Sequence, residues 1–290
     1  MPQRYEEDVL ATPMSAAELA TGDDAEATRP APERNLGAQT LERGLTLLAL
    51  AASEPMTIAN LAHASGLPLS IVRRLVKTLI AREFLAASPD NVIRGGGELL
   101  RLSQASLQRL DLVSVARPWV IALARQTGLS AFLGRRELDK SVHLMRAAGT
   151  ERIAVTTGAG STRFLPETGL GKALMLDDDV ESWKRLFVAL PPDERGDWLA
   201  EMTTAAERGV VLKIGPAPDC INAVATPVRD ATGRIVAAIN VAAQAQYLDG
   251  QRMEEVAMAV LDTALSISRE LGFAPGMKSA RPTAQRTRKA

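Results

Sequence analysis

The sequence predicts an α+β chain in two parts: a small helical unit with a short strand pair, then strand hairpins flanked by helices. Three features carry that prediction. Between Thr40 and Phe84, apolar residues recur at helical spacing in three short runs separated by turn residues. Beyond Leu129, β-type stretches are joined by tight turns. The stretch "RMEEVAMAVLDTALSISRELG", Arg252 to Gly272, closes the pattern as an amphipathic helix. At 290 residues the chain is long enough for two cores.

Residues 1–37 are rich in Ala, Thr, Pro and acidic residues and poor in large apolar groups, a composition that predicts a mostly disordered tail. "TLERGLTLLALAAS" then places Leu41, Leu45, Leu48 and Ala52 on one helical face, with Thr40 able to cap its start. In "TIANLAHASG", Thr57 is the expected N-cap, Ile58, Leu61 and Ala62 face inward, and Gly66 is the stop. "LSIVRRLVKTLIAREF" buries Val72, Leu75 and Leu79, with Ile71 beside them. "FLAAS-PDN-VIR" reads as two short strands about a Pro-Asp-Asn turn.

After Gly95-Gly96-Gly97, "ELLRLSQASLQRL" is a connecting helix and "DLVSVARPWVIALARQTG" another, with Pro118 inside it. "LSAFLGRREL" and "SVHLMRAAG" form a hairpin about Asp139-Lys140, "IAVTTGAG" a third strand, and "GLGKALML" a helix. "INAVATPVRDATGRIVAAINVAA" is strand, Ala-Thr-Gly turn and strand. The end, "PGMKSARPTAQRTRKA", carries only positive charge and is either a solvated tail or an auxiliary phosphate-binding arm.

Several function classes are excluded by what is scarce. The 34 Lys and Arg residues balance 34 Asp and Glu, so any nucleic-acid affinity has to come from a local patch. A single cysteine, Cys220, rules out an intrachain disulfide and suits a reducing cytoplasm. No signal segment or membrane span is legible. The two histidines, His63 and His143, are too few for a clustered zinc site, and His143 reads as a structural strand residue. Cys220 lacks a neighbouring base, Asp177-Asp178-Asp179 reads as a solvated loop, and "GAGSTR" lacks the lysine of a phosphate loop. No nucleophile, base and oxyanion site assembles, so neither enzyme chemistry nor a cofactor or metal is expected.

What remains is the helix pair around "LAHASGLPLSIVRRLVKTLI". A sharp turn followed by a helix carrying Arg73, Arg74 and Lys77 is the arrangement in which a second helix enters a DNA major groove. Leu69 and Ser70 begin that helix; Ser70 and Arg73 are candidates for base edges, Arg74 and Lys77 for phosphates. The alternative is a helical hairpin with a solvated basic face. The strand pair that follows supplies a wing and favours DNA.

The stretch from Thr40 to Asn91 resembles the winged N-terminal domain of the IclR family of bacterial transcription regulators, through its opening helix, "LAHASGLPLS" turn and "RRLVKTLI" helix. The resemblance continues through "DLVSVARPWVIALARQTG", "GLGKAL", "VATPVRDATGRIVAAINV" and "ISRELG", over about residues 40–273. It implies a winged helix-turn-helix domain (38–102), a linker helix region (103–118) and a GAF/PAS-like α+β effector-binding domain (119–273), between the disordered tail (1–37) and the basic tail (274–290) that composition predicts. It further implies operator DNA as partner and a small organic or aromatic acid as effector; one recognition helix spans too few base pairs for selectivity, so a homodimer or homotetramer is expected.

"PETGLGKALML" fits such a domain physically: small residues where a loop enters a helix let a ligand approach backbone N–H groups. Lys172 either adds charge there or caps solvent, and Gly169 and Gly171 could equally serve only tight helix–sheet packing. Carried over from the family, Gly169, Leu170, Ile221, Ala223, Asn240 and Ala242 are ligand-facing, and of the last three only Asn240 offers a strong hydrogen bond. The chain departs from the family's acidic run at "RGVVLKIGPAPDC", and Pro166 stands where a histidine is frequent. Both departures argue against zinc and leave open a more apolar ligand, or a regulator whose sensor no longer senses. An enzyme with an appended winged module is the rival from another class.

Overall fold

The computed structural model describes residues 36–107, 110–152, 155, 157–192, 197–215 and 220–275. The expected N-terminal tail through residue 35 and the basic tail from residue 276 lie outside them. Contacts divide the chain into two compact units that meet at Leu110 and Asp111. That boundary falls inside the 103–118 stretch expected to link two domains, so its halves belong to different units.

The first unit contains α1 (Leu36–Ser53), β1 (Met56–Thr57), α2 (Ile58–Ser65), α3 (Leu69–Ala81), β2 (Leu85–Ala87), β3 (Val92–Gly95) and α4 (Gly97–Leu107). β3 lies between β1 and β2, antiparallel to both. The wing is therefore as read from sequence, with Asn91 at positive φ closing its turn, and β1 adds a two-residue strand too short for alternation to reveal.

The core is Leu47, Ala51, Leu61, Val72, Leu75, Val76, Leu85 and Ile93. Three expectations are corrected here. α1 starts at Leu36, a turn before Thr40, so Thr40 is not its cap. And α1 buries Leu47 and Ala51, while Leu41 and Leu45 are 64% and 55% exposed and Ala52 faces solvent. The helix carries two apolar stripes, and spacing alone could not tell which faces the core. On α3 the third fully buried residue is Val76, with Leu79 and Ile71 half-buried.

The second unit begins with α5 (Leu112–Thr127), capped by Asp111, whose carboxylate accepts from the Val113 and Ser114 N–H groups. α5 continues through Pro118 as one helix. Then follow β4 (Ala131–Glu137), β5 (Lys140–Ala147), β6 (Thr162–Phe164), a 3₁₀ turn at Leu165–Glu167, and α6 (Gly169–Leu174). The chain ends with α7 (Val180–Val188), α8 (Trp198–Arg208), β7 (Val211–Lys213), β8 (Ile221–Arg229), β9 (Ile235–Gln244) and α9 (Gly250–Glu270). The six strands form one antiparallel sheet in the order β6-β5-β4-β9-β8-β7.

Side-chain alternation gives this sheet two unlike faces. Ala131, Leu133, Val224, Ile239, Val241 and Ala243 point into a core with Val120 and Leu123 of α5 and Val256, Val260 and Ile267 of α9. The opposite face is covered around Ala225 and Ala238 by Leu165, α6 and the aromatic residues Trp183 and Phe187.

Three details differ from the sequence reading. The β4–β5 turn is Leu138-Asp139, with Leu138 at φ 56°, and Lys140 already pairs in β5. Of "IAVTTGAG", Ile153, Ala154 and Thr156 lie outside the described residues and the rest is not strand; the strand beside β5 is Thr162–Phe164. β7, α7 and α8 had no counterpart in the reading, because short segments among charged loops carry little periodic signal.

Candidate functional site

The helix pair is fixed by local chemistry. Thr57 Oγ1 accepts from the Asn60 N–H (3.3 Å) and starts α2. Gly66 ends it at φ 66°, a left-handed conformation in which a side chain would be strained. Pro68 then stands at the N-cap of α3, its carbonyl accepting from the N–H groups of Ile71 (2.9 Å) and Val72 (3.1 Å).

On α3, Leu69, Ser70, Arg73, Arg74 and Lys77 are all exposed, and Val72, Leu75 and Val76 lie on the opposite, buried side. Ser70, Arg73, Arg74 and Lys77 follow the i, i+3, i+4, i+7 spacing, so they share one stripe. All three cations face outward, one more than the spacing alone required. Among the described residues no carboxylate lies within ion-pair distance of any of them. His63 is also exposed, near the end of α2.

In the second unit, the six carried-over ligand positions fall on the sheet face that bears α6. Ala223 of β8 pairs with Ala242 of β9, and Asn240 pairs with Ala225 on one side and with Phe132 of β4 on the other. Gly169 lies over β8: a Cβ added there would stand 3.1 Å from that of Ala223. Leu170 is fully buried and lies against Gly134, where a Cβ would come within 2.6 Å of it. Ile221 sits on the same face at the start of β8, 38% exposed. Gly171 packs its backbone against the Leu165 carbonyl with no room for a side chain. That packing is against the 3₁₀ turn rather than the sheet, and it is Gly169 that approaches the sheet.

Asn240 is 5% exposed, and its Oδ1 has no hydrogen-bond partner among the described residues. Around it Phe132, Ala223 and Ala242 form a small apolar cluster with Val155. The same face carries polar residues that the sequence reading did not single out. Arg146 pairs with Phe132 across β5 and β4 and donates to Ser130 Oγ (3.2 Å), leaving its Nε unpartnered. Ser130 in turn donates to Glu151 Oε1 through its hydroxyl (2.6 Å) and backbone N–H (2.9 Å). The buried imidazole of His143 meets Phe132 edge to face, 5.7 Å between ring centres. Burial pushes its pKa down, partly offset by its contact with the Ser161 carbonyl.

A β-bulge between Leu133 and Gly134 explains why the sequence hid this grouping. His143 and Arg146 are three residues apart, a spacing that puts strand residues on opposite faces, but the register shift brings both to the Phe132 side.

The remaining charged candidates are occupied elsewhere. Lys172 is buried and pairs with Glu201 (2.5 Å) over the Phe187 ring, so its charge is met by a carboxylate and it does not cap solvent. Asp177 holds Arg229, Asp178 holds Arg136, and Asp179 caps α7 through the Ser182 N–H. Among the described residues no group of three His, Cys, Asp or Glu could hold a metal, and no helix is long and apolar enough to cross a membrane.

Two family models match the chain: the IclR helix-turn-helix domain over residues 40–89 and the bacterial transcriptional regulator IclR C-terminal domain over 104–269. Among curated proteins, the HTH-type transcriptional regulator BhcR of Paracoccus denitrificans is 26% identical over 82% of this chain and 88% of its own length. The HTH-type transcriptional repressor AllR of Salmonella typhimurium is 26% identical over 84% and 94%. Among solved structures, an IclR-type regulator of Silicibacter superposes with TM-score 0.73 at 20% identity, covering 81% of this chain and 96% of that one. HmgR of Pseudomonas aeruginosa gives TM-score 0.68 at 22% identity, with 82% and 99% covered. The relatives are named as regulators and repressors rather than enzymes. With the C-terminal model alone spanning more than half of its length, and the winged unit matched in front of it, the chain belongs to the IclR family of DNA-binding transcriptional regulators.

Proposed function

We propose that this regulator reads operator DNA through the exposed stripe of α3 and is controlled by a small organic or aromatic acid bound on the α6 side of the second unit's sheet. Ser70 and Arg73 reach base edges, and Arg74 and Lys77 hold phosphates. Leu69 sits at the helix entry beside them. The observation that carries this reading is the stripe itself, with three cations on one helix face and no carboxylate beside them among the described residues. A protein using these groups only for solubility has no need to align them opposite a turn-braced helix.

The effector contacts Gly169, Ile221, Ala223, Asn240 and Ala242, with Leu170 shaping the floor. Binding changes DNA affinity only in so far as the ligand prefers one of two arrangements of the protein. The chain works as a homodimer, or a pair of dimers, in the cytoplasm where its operator lies. One recognition helix covers too few base pairs for genomic selectivity. The exposed Leu41 and Leu45 of α1 are the expected contact with a second copy. Leu41→Lys with Leu45→Lys should then shift the protein toward monomer in analytical ultracentrifugation.

A second reading, a ligand-independent regulator, draws on the alanines at 223 and 242, which leave few polar handles. The two part in one experiment: fluorescence anisotropy on operator DNA with a titrated panel of short organic and aromatic acids. A change of tenfold or so in DNA affinity with one acid supports effector control. Indifference to the whole panel favours the second reading.

A further inference from the structure

We propose that Arg146 anchors the acid group of the effector while Asn240 discriminates its substituent, so that the effector is a carboxylic acid bearing a hydroxyl or N–H donor rather than an unsubstituted acid. This rests on the effector reading above and narrows it.

The first observation is an unneutralised cation. Arg146 lies in the same cross-strand row as Phe132 and Asn240, and its one hydrogen bond runs to a neutral hydroxyl, Ser130 Oγ. Among the described residues no carboxylate is within ion-pair distance of its guanidinium, and the buried Nε has no partner. Glu151 accepts from Ser130 through Oε1 and so fixes the hydroxyl that positions Arg146, while its buried Oε2 has no partner among the described residues; the carboxylate stands one hydroxyl away from the guanidinium and makes no ion pair with it. A guanidinium held this way is a preorganised carboxylate receptor.

The second observation is the opposite need at Asn240. Its Oδ1 is a buried acceptor without a donor in a surrounding of Phe132, Ala223 and Ala242, none of which can supply one. An orphaned buried polar atom is costly, and its presence in one cross-strand row with a guanidinium whose Nε is also unpartnered points to a group delivered by a ligand. The backbones of Arg146 and Asn240 stand two strand spacings apart, about 10 Å, with Phe132 between them. Phe132 supplies an apolar floor for the carbon skeleton, and the neighbouring His143, kept neutral by burial, adds no competing charge.

The test is isothermal titration calorimetry of the full chain with matched pairs: lactate against propionate, and mandelate against phenylacetate. In at least one pair the hydroxylated acid should bind about tenfold more tightly or better, since a site built to hydrogen-bond a hydroxyl rejects the analogue lacking it. Asn240→Leu should bring that ratio to about one. Arg146→Gln should weaken both members about tenfold while preserving their ratio. The wild-type preference needs no variant, so a folding defect in either substitution does not shield the proposal. Equal affinity within every pair that binds, or an unchanged acid affinity in a folded Arg146→Gln protein, would overturn this inference and leave effector control standing. Failure of every acid to bind, with DNA retention unaffected by all of them, would overturn the effector reading together with it.

Discussion

Arg73, Arg74 and Lys77 allow the DNA-reading claim to be tested by the kind of loss each substitution produces, not only by its size. All three are exposed on the side of α3 opposite Val72, Leu75 and Val76, so alanine there should leave stability within about 0.5 kcal/mol. Each phosphate contact contributes about 0.9 to the slope of log K against log salt, so Arg74→Ala or Lys77→Ala in a dimer should lower that slope by about 1.8. Over a fourfold salt range this amounts to roughly a tenfold change in relative affinity. Arg73 should behave differently. Arg73→Lys keeps the charge and loses the bidentate fork, so the slope should hold while discrimination between operator and altered base falls by about 1–3 kcal/mol per half-site. The assay is anisotropy at several salt concentrations with operator and single-base variants, with a melting curve for each protein. A slope unchanged by Arg74→Ala and Lys77→Ala, or base discrimination untouched by Arg73→Lys, would refute this division of roles.

Three further outcomes concern the second unit. His143 has its pKa lowered by burial, so the unfolded chain takes up the proton first: this contribution is complete above the unfolded value near 6.5 and is lost as pH falls from there through the folded pKa. The urea midpoint should therefore drop between about pH 7.5 and 5.5, and His143→Gln should reduce that drop; an identical pH profile would contradict it. Carboxylates held low by their partners, such as Asp179 by the Ser182 N–H, act at more acid pH and do not confuse this window. Gly171→Ala should destabilise the unit by about 1–3 kcal/mol in denaturant titration, because the new methyl overlaps the Leu165 carbonyl. Glu201→Ala strands the buried Lys172 ammonium and should cost more than Lys172→Met, about 1–3 kcal/mol against less than about 1, since the methionine keeps the volume and leaves Glu201 half in water. Calorimetry giving the reverse order would refute that explanation.

What could be read in advance divides by the range of the interaction responsible. The Thr57 cap, the Gly66 stop and the outward stripe of α3 depend on neighbours within a turn or two, and each is legible in "TIANLAHASGLPLSIVRRLVK". α1 shows where such reasoning ends: its leucines form two stripes, and which one is buried depends on α2, α3 and the wing. The Arg146–Ser130–Glu151 chain joins residues 16 and 21 positions apart through a bulged strand pair, so no spacing rule could assemble it. Lys172 and Asp177 to Asp179 could have faced a ligand or solvent on sequence grounds, and their partners Glu201, Arg229, Arg136 and the α7 N-terminus come from distant or later elements. The six carried-over positions share a face because β8 and β9 are adjacent and α6 lies across them, an arrangement only the register fixes.

The most direct measurement is anisotropy of the full chain on the duplex upstream of its own gene and on a scrambled duplex of equal length, across a salt titration. Operator reading by α3 requires affinity for the upstream duplex greater than for the scramble by about a thousandfold or more, falling with salt in proportion to the phosphates held. Equal affinity for the two duplexes, with a salt slope unmoved when Arg74 and Lys77 are replaced, would contradict it.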